Sequence, residues 1–171
     1  FKSGTRHGGK VTGLAASGDP NKLIDKFRQV IKREGLRLKA KEELFFDATK
    51  LIPDWGNYEP ERLKNFLGES TREDVAAGAQ KRLEEVAVEL ISNALNKTGM
   101  NKGVLAGGVF ANVLLNQKIR QLPKVDDMYV FPAMSDGGLA LGAALSFLSK
   151  LKRKEGVKLL PKSFGMVYFG P

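Results

Sequence analysis

Residues 105–112 read LAGGVFAN, and residues 128–138 read MYVFPAMSDGG. Each segment combines a short apolar run, a turn of small residues and the start of a helical pattern. This arrangement brings bare backbone and a helix N-terminus toward a phosphate-bearing ligand. No Gly-Lys-Ser/Thr follows the glycines, and neither segment contains Gly-x-Gly-x-x-Gly. The two segments therefore predict a nucleotide-binding α/β fold that is neither a P-loop nor a dinucleotide-binding fold.

The pattern around these segments predicts strands and helices in alternation. Strands are expected at 103–107 and 128–131, and helices at 111–121 and 138–152. A β-α-β-α order is typical of parallel strands joined by a right-handed crossover. We therefore expect the carboxyl ends of the two strands to lie side by side and to line one crevice.

Two helices and a short strand are predicted upstream of this unit. Asp19 and Pro20 mark the start of one helix, whose apolar spacing continues until Gly35. Residues 36–40 then alternate apolar and basic side chains, which predicts a half-exposed strand.

The second of these helices is the longer one. Capping residues at 70–74 and the closing Gly99 predict a helix that reaches about Lys97. Its residues 76–79, AAGA, allow close approach by a sheet or an interdomain cleft.

Composition limits the class of protein. At 171 residues, with 42% hydrophobic and 27% charged residues, the chain is long enough for one folded unit. The absence of cysteine excludes disulfides, thiolate zinc sites and a cysteine nucleophile, and it favours a cytoplasmic location. The longest apolar run, residues 139–148, is shorter than the roughly 20 residues that cross a bilayer, so no membrane segment is expected.

The net charge of +9 raises the question of a polyanionic partner. The basic residues are spread over predicted helix faces, with one local run at 150–154. This distribution favours solvated faces over a nucleic-acid interface. A noncatalytic basic binding module nevertheless stays an alternative, with steeply salt-dependent RNA binding as its signature.

The first candidate site residues follow the strand at 103–107. Gly107 and Gly108 remove two Cβ atoms, so a nucleotide could lie against the main chain. Asn112 could hydrogen-bond that ligand. The alternatives are a tight turn that needs a positive φ and an asparagine that caps its own helix.

Asp136 is the second candidate, at the start of the helix that follows the other strand. Its carboxylate is a hard oxygen ligand suited to Mg, Mn or Fe, and we expect it at the floor of the crevice. The alternative is an ordinary helix N-cap. His7 is the only histidine, so a histidine-rich metal site cannot be completed by this chain.

The third candidate segment is residues 8–18, GGKVTGLAASG, where Lys10 stands among glycines. Lys10 and free backbone N–H groups could hold a phosphate or a carboxylate; a flexible terminus is the alternative. Ser17 and Thr12 have no histidine partner in a recognisable triad order, so nucleophilic hydrolysis is not favoured. No residue of the chain is assigned as catalytic.

Three segments together resemble a known family. Residues 9–18, 105–112 and 135–144 are similar, in order and spacing, to the nodulation-type and antibiotic-type O-carbamoyltransferases. Residues 169–171, FGP, resemble the start of that family's Leu-Gly-Pro signature. The likeness spans nearly the whole chain.

The resemblance implies an α/β fold of the actin-like ATPase type, related to ribonuclease H and to the threonylcarbamoyl-tRNA synthesis enzymes. Residues 1–171 would form the second half of the amino-terminal domain, a mixed sheet with a parallel β-α-β-α core and packed helices. The upstream half and a carboxy-terminal synthase-like domain would lie outside this chain.

The resemblance also implies a reaction. Carbamoyl phosphate and ATP yield carbamoyl adenylate, and the carbamoyl group passes to the hydroxyl of a small-molecule acceptor beside a divalent metal, with iron among the candidates. The implied metal ligand is Asp136. The implied nucleotide contacts are Gly107, Gly108 and Asn112, together with Lys10 and Gly13 on the opposite side of the cleft.

The chain also departs from the family pattern. The paired metal histidines and the first phosphate-binding hairpin have no match in it. Catalysis is therefore expected only from the intact protein. An actin-like ATPase or kinase that uses the same glycine pair stays an alternative.

Overall fold

The computed structural model describes residues 8–45 and 60–156, and within those ranges it is a mixed α/β structure. Its helices are α1 (Gly8–Ala15), α2 (Ile24–Val30), α3 (Pro60–Leu67), α4 (Arg72–Thr98), α5 (Val113–Arg120) and α6 (Leu139–Lys154). Its strands are β1 (Ile31–Glu34), β2 (Arg37–Ala40), β3 (Lys102–Leu105) and β4 (Asp127–Val130). His7 and residues 169–171 lie outside the described residues. The actin-like assignment stays a prediction.

Strands β3 and β4 form the parallel pair that the sequence predicts. Their register runs from Lys102 opposite Asp127 to Leu105 opposite Val130. Helix α5 connects them and buries Leu115 against Leu105. Parallel strands need such a crossover because a tight turn can only join antiparallel ones.

Helix α4 begins and ends where the sequence predicts. The Thr71 side chain accepts a hydrogen bond from the backbone N–H of Asp74 at 3.1 Å, which satisfies one free donor of the first turn. Gly99 ends the helix with a φ of 70°, a conformation that glycine adopts without steric cost.

The two halves of α4 carry two separate apolar clusters. The first half packs Val75 and Ala79 against the side chains of Leu23 and Phe27. The second half packs against α5 and β3, and its contributing residues are Leu83, Ala87, Val88 and Ile91. One helix therefore supports both the upstream helices and the parallel strand pair.

The small-residue stretch of α4 has a different neighbour from the one predicted. Gly78 faces the ring of Phe27 on α2, and a Cβ at position 78 would lie 2.8 Å from that ring. The partner is thus a helix, not a sheet or an interdomain cleft. A bulky aromatic side chain fills the space that the small residues leave.

The helix predicted from Pro20 to Gly35 is shorter in the structure. A 3₁₀ turn at Pro20–Lys22 is followed by α2, which ends at Val30, and β1 and β2 then form an antiparallel hairpin around Gly35. Arg82 on α4 donates to the carbonyl of Ile31 at 2.6 and 2.9 Å, so this carbonyl is satisfied outside a helix. The strand predicted near 36–40 is confirmed, but all four residues of β2 are exposed and not half-buried.

Asp74 ties the start of α4 to the segment before α2. Lys22 Nζ lies 2.8 Å from one carboxylate oxygen, and the backbone N–H of Asp19 donates to the other at 2.8 Å. The hydrogen bond from Lys22, with that from Asp19, lowers the pKa of Asp74 from its ordinary 3.8 to about 2. The ionised form is therefore favoured in the folded protein.

This shift predicts an acid-sensitive contribution to stability. Because the folded pKa of Asp74 is below the unfolded one, its contribution is complete above about pH 4 and disappears as the pH falls toward 2. The wild type should therefore be more stable than Asp74→Asn at pH 6, with most of that difference gone at pH 2. Urea unfolding of both proteins at several pH values measures it. A difference that is constant with pH would contradict the assignment.

No helix among the described residues has the length and the apolar content that crossing a membrane requires.

Candidate functional site

The carboxyl ends of β3 and β4 are joined by main-chain hydrogen bonds. The N–H of Phe131 donates to the carbonyl of Leu105 at 3.3 Å, and the N–H of Gly107 donates to the carbonyl of Met134 at 2.6 Å. The turn that holds the glycine pair and the turn that leads to Asp136 therefore lie against each other. This is the proximity that the β-α-β-α order predicts.

Gly107 and Gly108 occupy the turn after β3. Gly107 has a φ of 118° and a ψ of 147°, a conformation that L side chains rarely adopt. A Cβ at Gly107 would meet no atom within 4 Å, whereas one at Gly108 would lie 3.2 Å from Ser135 Oγ. The positive φ confirms the turn interpretation at Gly107, and the open space beside it is compatible with the predicted nucleotide contact.

Asn112 caps α5, as one of the two interpretations predicts. Its Oδ1 accepts a hydrogen bond from the backbone N–H of Leu115 at 3.1 Å. Its Nδ2 donates to Gln80 Oε1 on α4 at 2.8 Å. The nucleotide contact of Asn112 stays a prediction.

Residues 8–15 form helix α1 and not a glycine-rich loop. The helix packs against α4, and this packing outweighs the poor helix propensity of its glycines. Lys10 and Gly13 are both exposed. Between them, Thr12 Oγ1 lies 3.5 Å from Asn112 Nδ2, so the structure brings this segment next to the start of α5.

Asp136 begins a 3₁₀ turn, Asp136–Gly138, directly before α6. The N-cap position belongs to Ser135, so Asp136 is not the ordinary N-cap of the alternative interpretation. The carboxylate is exposed, not at the floor of a crevice, and it makes no hydrogen bond among the described residues. Its oxygens are thus accessible from solvent.

The described residues do not form a metal site by themselves. Across residues 8–45 and 60–156, no group of three or more His, Cys, Asp and Glu side chains could hold a metal ion. Asp136 fits a hard divalent cation as one ligand. The remaining ligands would have to come from outside these residues.

A cavity of about 380 Å³ lies elsewhere, between α1, α3 and α4. Val11 and Leu14 line it from α1, and Leu63 and Leu67 line it from α3. None of the six predicted site residues lines this cavity. We therefore locate the candidate site at the strand ends, where the three predicted segments meet.

Sequence analysis missed two polar side chains at this place. Gln80 and Glu84 lie one turn apart on the inner side of α4, and Glu84 is buried. Their spacing in the sequence could have identified them. Positions 80 and 84 follow Ala77 at intervals of three and four residues, which places two polar side chains on a helix face that is otherwise apolar. A polar residue on such a face needs a partner, which here is Asn112 for Gln80.

Comparisons with known proteins identify the family of the chain. A family model described as "Carbamoyltransferase N-terminus" matches residues 1–145. The nodulation protein NolO of Bradyrhizobium diazoefficiens is 33% identical over 165 residues, which are 95% of this chain and 28% of that protein. The nodulation protein NolNO of Sinorhizobium fredii is 30% identical over 165 residues, again 95% of this chain and 22% of that protein.

A third relative is named as a transferase. The tRNA N6-adenosine threonylcarbamoyltransferase of Bordetella avium is 36% identical over 95 residues, 53% of this chain and 26% of that protein. The chain thus spans about a quarter of the length of the curated relatives it matches. Because the family match covers most of its residues, this chain belongs to the carbamoyltransferase family, in the region described as its N-terminus.

Proposed function

We propose that this chain forms the nucleotide-contacting part of a carbamoyltransferase with an actin-like domain. The whole protein would convert carbamoyl phosphate and ATP to carbamoyl adenylate and transfer the carbamoyl group to the hydroxyl of a small-molecule acceptor. Family membership supports the transfer chemistry. The nucleotide role rests on the meeting of α1, the glycine turn and the turn that begins at Asp136.

That meeting is the observation that carries the proposal. Two contacts produce it: the hydrogen bond between Gly107 and Met134 at 2.6 Å, and the approach of Asn112 to Thr12 at 3.5 Å. The second contact joins segments that are 100 residues apart in the sequence. Substrate positioning of this kind accounts for much of the rate of a group transfer, because it replaces a chance encounter by a fixed geometry.

Each segment has a distinct task in the proposed site. Gly107 leaves the main chain bare, so the adenosine part of a nucleotide can approach it without meeting a Cβ, and the missing Cβ of Gly108 makes room for Ser135. Lys10, which is exposed on α1, supplies a positive charge for phosphate. Asn112 supplies a directed hydrogen bond at the start of α5.

Asp136 has a separate task, because its carboxylate is exposed and makes no internal bond among the described residues. It would be one oxygen ligand of a divalent cation, with its position set by the turn before α6. A bound cation would supply Lewis-acid polarisation of an oxygen near the reacting carbon. Asp136 would bind the cation and would not act as a general base.

Turnover of the whole protein tests the proposal. With carbamoyl phosphate, ATP, water and a divalent metal, adenylate formation should release pyrophosphate from ATP and inorganic phosphate from carbamoyl phosphate, and transfer to an acceptor should then release AMP. Pyrophosphate release and nucleotide chromatography measure both steps. Release of ADP instead would favour an actin-like ATPase or kinase, and a lack of any nucleotide turnover would end the proposal.

A Gly13→Ala variant extends the same assay to α1. A Cβ at Gly13 meets no protein atom within 4 Å, and alanine favours the helix by about 1 kcal/mol. If a nucleotide approaches this face, the variant should weaken ATP binding about tenfold, or about 1.4 kcal/mol, without loss of stability. Gly142→Ala, an equally open helical position on α6, is the matched control and should bind ATP normally.

A further inference from the structure

A continuous chain of hydrogen bonds runs from a buried carboxylate to Asn112. Gln80 Nε2 donates to Glu84 Oε1 at 2.8 Å, and Asn112 Nδ2 donates to Gln80 Oε1 at 2.8 Å. The other carboxylate oxygen of Glu84 pairs with Lys118 Nζ on α5 at 2.5 Å. The chain therefore links α4 to both ends of α5.

The chemistry of a carboxylate fixes the donor-to-acceptor direction of this series of hydrogen bonds. An ionised carboxylate only accepts hydrogen bonds, whereas an amide has one accepting and one donating end. Glu84 therefore requires the NH₂ end of Gln80, which leaves the Gln80 carbonyl to face Asn112. The Asn112 amide presents its nitrogen to that carbonyl, and its Oδ1 accepts from Gln80 Nε2 and from the backbone N–H of Leu115. Glu84 and the helix cap therefore require the same orientation of Asn112.

This orientation decides what Asn112 can offer a ligand. Its Oδ1 already accepts from Leu115 N at 3.1 Å and from Gln80 Nε2 at 3.3 Å, so both lone pairs are engaged. One N–H is engaged by Gln80. The other donates to Thr12 Oγ1 at 3.5 Å, the longest hydrogen bond of the group and hence the one that a ligand acceptor would replace most easily. The donor of Asn112 that a ligand could engage is thus the N–H that points toward α1.

We propose that Gln80 and Glu84 are positioning residues that hold the Asn112 amide with this N–H directed at an acceptor atom of the bound nucleotide. This inference rests on the proposed nucleotide site and adds to it two residues and a direction. The ligand atom must be a hydrogen-bond acceptor, such as a hydroxyl oxygen, a phosphate oxygen or a ring nitrogen. An N–H group of the ligand at the same place would be rejected.

Glu84→Gln in the whole protein tests the inference. The new amide can donate or accept, so Gln80 can turn over, and Asn112 then keeps only its bond to the Leu115 N–H to fix its direction. We expect the Kd and the KM for ATP to rise about 3- to 10-fold, the effect of one directed hydrogen bond, with kcat nearly unchanged. Equilibrium binding of ATP and steady-state kinetics give the two readouts.

The Asp74→Asn variant is the matched control. Asp74 and Glu84 are both buried carboxylates on α4, with side chains 7% and 8% exposed, and each pairs with a more exposed lysine. Asp74 has no bond to Gln80 or Asn112. Asp74→Asn should therefore lower stability and leave the Kd and the KM for ATP at wild-type values.

A double-mutant cycle separates positioning from general loosening of the site. Gln80→Met removes the middle link with little change in length, and it should raise the Kd for ATP as Glu84→Gln does. If Glu84 acts through Gln80, the double variant should bind ATP as weakly as Gln80→Met alone. If the Kd for ATP of the double variant instead rises by the product of the two single effects, Glu84 acts independently of Gln80, and the inference is overturned.

The outcomes also separate this inference from the proposed function. If the wild-type protein binds no ATP, the nucleotide site itself is wrong, and the inference falls with it. If the wild type binds ATP and Glu84→Gln binds it equally well, the positioning role alone is wrong. A loss of binding that Asp74→Asn reproduces would show a structural effect only and would also overturn the role.

Discussion

Asp136→Asn in the whole protein should reduce carbamoyl transfer by about 100-fold or more while the melting temperature stays at the wild-type value. Replacing residues that only support a metal's ligands already reduces metal affinity or activity 10- to 100-fold, so loss of a direct ligand should cost at least as much. Stability should be kept because the Asp136 carboxylate is exposed and has no hydrogen bond among the described residues. Transfer assays, bound-metal analysis and thermal unfolding provide the three readouts.

Asp127→Asn is the control for this prediction. Asp127 is also an exposed aspartate and lies at the opposite end of β4, away from the glycine turn. It should keep both transfer activity and bound metal. Full activity in Asp136→Asn would remove the metal role, and an equal loss in both variants would show that the effect is not specific to the strand end.

Gly138→Ala should destabilise the protein by about 3 kcal/mol and abolish transfer with it. A Cβ at Gly138 would lie 2.2 Å from the carbonyl oxygen of Ala133 and 3.0 Å from the ring of Phe131. A side chain could move away, but a backbone carbonyl in a turn cannot move without displacing the turn, and overpacking of this kind typically costs 1–3 kcal/mol or more. Chemical denaturation measures the loss.

The neighbouring glycine provides the matched comparison. Gly137 lies in the same turn, and a Cβ there would meet no atom within 4 Å. Gly137→Ala should therefore unfold close to the wild-type denaturant concentration. Equal stability of the two alanine variants would mean that the turn before α6 is not packed as described.

Local patterns in the sequence were enough to predict the elements around the candidate site. The N-cap at Thr71 and the stop at Gly99 follow from capping patterns of a few residues, and the parallel pairing of β3 with β4 follows from the β-α-β-α order. The change from helix α2 to strand β1 at Ile31 does not follow from a local sequence pattern. It depends on the guanidinium of Arg82, which is 51 residues away in the sequence.

The candidate site likewise combines residues that local sequence patterns identify with contacts that they do not. The glycine pair and Asp136 were recognisable because each stands next to a predicted strand or helix start. The link from Asn112 to Gln80 spans 32 residues and joins two helices, so no local pattern announces it. The helical form of residues 8–15 was missed for the same reason, because contact with α4 stabilises it against the preference of its glycines.

The bond between the N–H of Gly107 and the carbonyl of Met134 is made entirely by atoms that every amino acid shares. Only proline at position 107 would delete the donor, and no exchange of side chain at position 134 would remove the acceptor. The contact therefore tolerates exchange of the side chain at position 134, whereas position 107 is restricted to glycine by its φ of 118°. A junction of this kind depends on the backbone path and on one glycine, so the side chains around it are free to change while it persists.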